Sequence, residues 1–108
     1  MAELEWDKTI LMKQAGDDER LAGELLALFR DSSALDLQKI KEGLAELDSA
    51  AVSEAAHSIK GSAVSLGIEG IGRIASRVEQ FGREHDLEKA VGEFDDLEAL
   101  LKEIDKQV

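Results

Sequence analysis

The sequence predicts an all-α fold: an up-down antiparallel four-helix bundle with a short N-terminal helix. Three observations point there. The 108 residues include no proline, and aromatic residues make up only 4%, so the strongest helix breaker is absent and strand-forming residues are scarce. Apolar residues recur in steps of three and four, the period of one helix face. Links of only a few residues join the segments that carry this pattern, which favours antiparallel neighbours. With 44% hydrophobic and 34% charged residues, the chain can bury one aliphatic core beneath a well-solvated surface. Its length suits a single domain over residues 1–108.

Taken in order, the first segment covers roughly residues 5–14, with Trp6, Ile10 and Leu11 on one small stripe. Gly16 ends it, and Asp17 or Asp18 can cap the next helix. The second segment, 19–47, sets Leu21, Leu25, Leu28, Phe29, Leu37, Ile40, Leu44 and Leu47 at helical steps. Asp31, Ser32 and Ser33 are poor helix formers within it. They read as a weak point in one long helix, two shorter helices being the alternative. Asp48 and Ser49 form a capping pair for the third segment, 49–66, which Gly67 closes. The fourth, 68–84, turns Ile71, Ile74, Ala75, Val78 and Phe81 inward, and His85-Asp86 breaks it. The last, 87–106, aligns Leu87, Ala90, Val91, Phe94, Leu97, Leu101 and Ile104. No internal repeat or low-complexity stretch interrupts the series.

Composition excludes several functions. A net charge of −11 has the wrong sign for displacing counterions from nucleic acid or for binding anionic membranes. It suits a partner with a basic face. The chain has no cysteine, which removes disulfides, thiolate catalysis and Cys-ligated metals. No apolar run approaches the ~18 residues of a membrane span, and MAELEWDK has no signal-peptide core. A cytoplasmic protein is expected. One apolar stripe per helix is satisfied within a monomer.

The third segment carries the chemistry. Val52, Ala55, Ala56, Ile59, Ala63 and Leu66 share one arc, the core face. His57 falls about 160° from its centre and faces solvent. Lys60 and Gly61 flank it one turn on, with Ser53 and Val64 near the same line. An exposed glycine inside a helix costs roughly 1 kcal/mol relative to alanine and gains nothing from packing. Access offers a reason: without a side chain at 61, a bulky group can approach the imidazole. Lys60, at i+3, can reach a negative charge on the ring. An imidazole in water is largely neutral at pH 7 and so can act as a nucleophile. Nucleophile, cation and open approach together describe phosphoryl acceptance. The chain lacks a G-x-x-x-x-G-K-[ST] phosphate loop, so it would hold a phosphoryl group without making one from ATP.

His57-Ser58-Ile59-Lys60-Gly61-Ser62, with Gly67 ten residues after the histidine, resembles the H-x-x-K-G-x-x-x-x-x-G signature of histidine phosphotransfer (HPt) domains. Ala55-Ala56 fits the signature, and GDDERLAGELLALF, residues 16–29, resembles the family's opening helix. The likeness runs over residues 6–104. It implies a phosphorelay intermediate that is a carrier and not a kinase. His57 would accept a phosphoryl group on Nε2 from the aspartyl phosphate of one receiver domain and pass it to another. Lys60 would stabilise its charge. No cofactor or metal of the chain's own is implied, and Mg²⁺ would come with the partner receiver. Glu79 stands where the family often has Glu or Gln. It either bonds the other ring nitrogen or Lys60, or is a solvated carboxylate. Arg83 stands where some relatives carry a basic residue near the phosphoryl site. The docking face would comprise Ser53, Lys60, Gly61 and Val64, with Leu25 and Leu28 from the neighbouring helix and Arg83 beside it. Response-regulator receiver domains are the implied partners, and a hybrid sensor histidine kinase also fits.

Two other readings share these residues. HSIKG and Glu79 equally suit the phosphoacceptor domain of a chemotaxis-type histidine kinase, with ATP as donor through a separate kinase domain. A bundle that docks receivers without carrying phosphate is the other. The relay is preferred because WDKTILMKQAGDDERLAGELLALF resembles relay domains more closely and because His57 is retained. His85, at a helix break, reads as a turn residue. Glu54 and His57 imitate one ferritin-like E-x-x-H pair, but that chemistry needs two pairs facing inward.

Overall fold

The computed structural model describes residues 2–107. Five helices follow in order: α1 Lys8–Gln14, α2 Glu19–Ala45, α3 Ser49–Ser65, α4 Glu69–Arg83 and α5 Leu87–Asp105. Aspartates open four of them. The side chains of Asp7, Asp18, Asp48 and Asp86 accept hydrogen bonds from backbone N–H groups of the first turns of α1, α2, α3 and α5, which have no partner within the helix itself.

The helices end with equal economy. Gly16, Leu47, Gly67 and His85 all have positive φ, between 57° and 77°. Each lies one residue past a helix cap and closes a Schellman turn. After α3, Gly67 N–H donates to the Val64 carbonyl at 3.1 Å and Ile68 N–H to Ala63 at 2.9 Å. Asp48 and Asp86 finish one such turn and cap the next helix. Such short links favour antiparallel packing of the four long helices.

α2 packs on α3 and α5, α3 on α4, and α4 on α5, while α1 lies against α2 and α3. The four long helices thus close around one core, where Ile40, Ile59, Ile68, Ile71, Leu97, Leu100 and Ile104 are essentially fully buried. Each such side chain stabilises the fold by roughly 2 kcal/mol relative to exposure. Two core glycines let helices approach closely. A Cβ on Gly43 of α2 would lie 2.9 Å from the Val52 side chain, and one on Gly82 of α4 would lie 3.1 Å from Ser53.

Several sequence expectations need correction. Trp6 is not helical, because Asp7 caps α1 and the helix starts only at Lys8. Residues 3–7 instead strap the α3–α4 turn. Gly70 N–H donates to the Leu4 carbonyl at 2.7 Å, and Asp7 N–H to Gly67 at 2.8 Å. Trp6 Nε1–H donates to Leu66 at 3.1 Å. The expectation of one long second helix holds, since Asp31–Ser33 does not break α2. The Ser32 and Ser33 hydroxyls bond back to the carbonyls of Phe29 and Arg30, which removes their competition with the helix. Leu21, Leu28, Leu47 and Val91 have the helical spacing but are exposed, whereas Ala22, Leu26 and Leu100 occupy the core. Phe81 is only half-buried, with the Lys89 ammonium over its ring.

Candidate functional site

The core face of α3 is as expected: Val52, Ala55, Ala56, Ile59, Ala63 and Leu66 are all buried. That burial fixes the rotation of the helix and turns His57 outward, with 63% of its side chain exposed. Gly61 is exposed, and a Cβ built there would have nothing within 4 Å. Packing therefore does not require this glycine.

α4 supplies the group that orients the histidine. Glu79 follows Val78 on the buried side of α4, and its side chain is only 4% exposed. His57 Nδ1 lies 2.9 Å from Glu79 Oε2. Lys60 Nζ donates to Oε1 at 2.6 Å, and Arg83 Nη2 donates to Oε2 at 2.7 Å. Of the two readings of Glu79 left open by the sequence, the structure shows a buried carboxylate shared by three donors. Burial pushes its carboxyl up, but the hydrogen bonds from Lys60 and His57, with the charges of Lys60 and Arg83, outweigh that and hold its pKa below the ordinary value.

An ionised carboxylate can only accept hydrogen bonds. The Nδ1–Glu79 contact therefore puts the proton of a neutral ring on Nδ1, and the lone pair on Nε2. Among the described residues, no hydrogen bond engages Nε2. Lys60 sits on Glu79 and not on the ring. One of its three ammonium donors is used there, and the rest remain for another anion.

His57, Glu79, Arg83, Ser53 and Glu54 line one shallow hollow of about 340 Å³. Ser53 is half-buried against Gly82, its hydroxyl bonded to the Ala50 carbonyl. Leu25 and Leu28 belong to a second, mostly apolar hollow of about 270 Å³, shared with Phe29 and Leu66 and floored in part by Ser62 and Ser65. Leu28 is 66% and Val64 60% exposed. The sequence reading missed Glu54 as a wall of the site and Gly82 as the contact that lets α4 approach Ser53. Glu54 lies one turn before His57, and Gly82 three residues after Glu79, so helical spacing carried both signals. Among the described residues, no three His, Asp or Glu side chains converge to hold a metal. Among the described residues, no helix is long and apolar enough to cross a membrane.

Bundle and site together define a class: a helical scaffold that presents one accessible imidazole, tied through Nδ1, on a helix face kept clear by a glycine. The family model for the Hpt domain matches residues 24–107, and the chain belongs to that family. It is a phosphotransfer intermediate of two-component phosphorelays. Solved structures that share the fold include two histidine phosphotransfer proteins. Histidine-containing phosphotransfer protein B from Pseudomonas aeruginosa PAO1 is 22% identical, with a TM-score of 0.85, over 93% of this chain and 87% of that one. The HPT domain of an Hpt sensor hybrid histidine kinase from Shewanella is 20% identical, with a TM-score of 0.66, over 98% of each chain. No significant match occurs among curated proteins.

Proposed function

We propose that His57 is the phosphoacceptor of this phosphorelay intermediate and that residues 1–108 form one carrier domain. The observation that carries the reading is the Glu79–Nδ1 hydrogen bond on a solvent-facing imidazole. The Nε2 lone pair attacks the phosphorus of a receiver's aspartyl phosphate. An N–P bond forms, the acyl P–O bond breaks, and its electron pair leaves with the aspartate carboxylate. No proton has to move. The ring becomes a phosphorylated imidazolium whose Nδ1–H stays on Glu79, and that carboxylate offsets its charge. Transfer to the aspartate of a second receiver is the reverse, with neutral imidazole as leaving group.

The free donors of Lys60 serve the phosphoryl oxygens, and Mg²⁺ held by the receiver neutralises the remainder. Gly61, Ser53 and Val64 leave the approach open, and Leu25 and Leu28 offer an apolar contact to a receiver helix. The chain acts as a cytoplasmic monomer with no kinase activity of its own.

Incubation with a receiver phosphorylated on aspartate tests this. Acid-labile, base-stable label is expected on the wild type and none on His57→Gln, with the fold retained because the side chain is exposed. ATP and Mg²⁺ alone are expected to label nothing. Label that survives His57→Gln would sink the assignment.

A further inference from the structure

We infer that Arg83 is a positioning residue for His57, acting through Glu79 and not on the phosphoryl group. The inference rests on the reading of His57 as phosphoacceptor, and the hydrogen-bond pattern carries it. Lys60 holds one oxygen of the Glu79 carboxylate, at 2.6 Å. A single anchor leaves the carboxylate free to turn about its last torsion, which is broad for Glu. Arg83, one turn further along α4, holds the other oxygen at 2.7 Å. That oxygen is the one His57 Nδ1 meets at 2.9 Å. The carboxylate is thus clamped from α3 on one side and from its own helix on the other, and the clamp sets the acceptor in front of the ring.

The consequence is a choice of tautomer. With Oε2 in place, the ring proton belongs on Nδ1 and Nε2 keeps its lone pair. Without the clamp, Oε2 swings away and the ring relaxes toward the Nε2–H form that imidazole side chains favour in water. That form carries a proton on the attacking nitrogen and cannot accept a phosphoryl group. The other charged groups beside the ring do not replace Arg83. Lys60 already meets the other oxygen, Oε1, and so does not hold Oε2, and Glu54 on α3 is a carboxylate with no donor to offer.

The test uses the whole chain in three variants, Arg83→Met, Arg83→Lys and Arg83→Met combined with Glu79→Gln, each set against its parent. Ring ¹⁵N NMR reads the tautomer without any receiver. Phosphotransfer from a phosphorylated receiver reads the rate. Arg83→Met is expected to lower the Nδ1–H population and slow acceptance roughly threefold to tenfold, the scale of one ordinary hydrogen bond. Arg83→Lys should restore most of both. In the Glu79→Gln background, Arg83→Met should change neither. Unchanged ring signals in Arg83→Met, or an equal rate loss in both backgrounds, would overturn the inference. A wild type that takes no label would instead refute the phosphoacceptor reading and leave the tautomer result standing.

Discussion

Gly61 is where stability and access can be set against each other. It lies well inside α3, is exposed, and would meet nothing within 4 Å through a Cβ. Gly61→Ala therefore adds no clash and removes the backbone freedom that glycine has in the unfolded chain. The expected gain is about 1 kcal/mol. Unfolding entropy is about 2.1 cal/mol/K per residue, and for 108 residues that gives about 0.23 kcal/mol/K. The gain thus corresponds to a Tm rise of about 4 °C. Thermal unfolding followed by circular dichroism measures it. Gly61→Gln should keep most of that gain, since glutamine is also a good helix former, yet place a long side chain one turn from His57. Its transfer rate from a receiver should fall at least tenfold. A lower Tm for Gly61→Ala would refute the packing argument. Full transfer by a stabilised Gly61→Gln would refute the claim that this glycine keeps the approach clear.

The geometry makes three further outcomes testable. Leu47 is 77% exposed and held at φ 57°, so Leu47→Gly should stabilise the chain by ~0.5–1 kcal/mol, read from denaturant midpoints; a loss would contradict the strain assigned to that turn. A Cβ at Gly70 would collide with the strap carbonyls of Glu3 and Leu4, so Gly70→Ala should cost ~1–3 kcal/mol and shift the fluorescence of Trp6, the only tryptophan, towards that of an exposed indole. Unchanged emission would mean that the strap does not depend on that contact. Glu79 has a folded pKa below its ordinary value of 4.5, so its ionised form adds stability that is fully present above that pH and is lost as pH falls through the lower folded value. The stability gap between wild type and Glu79→Gln should therefore shrink in acid, and a pH-independent gap would refute it.

Much of this was legible in the sequence because it depends on local rules. Helical spacing, with the aspartates that cap α2 and α3, places the four long helices, and the wheel of α3 puts His57 outside because six apolar residues compete for the inside. What the sequence could not decide depends on contacts distant in the chain. The 27 residues of α2 carry more apolar positions than one stripe can bury, so spacing alone could not tell Leu26 in the core from Leu28 in solvent. Trp6 resembles a helix residue until its bonds to the α3–α4 turn are known. Glu79 reads equally as surface or core, since a carboxylate is buried only where cations meet it, and His57 and Lys60 come from another helix. Arg83 was visible as a basic residue nearby. Its grip on the oxygen that His57 shares was not.

The most direct test is the site of phosphorylation within the ring. Glu79 occupies Nδ1 and leaves Nε2 open, so ³¹P NMR of the wild type, phosphorylated by a receiver, should give one Nε2-phosphohistidine signal that is absent from His57→Gln. A phosphoryl group on Nδ1, or on any residue other than His57, would contradict the account.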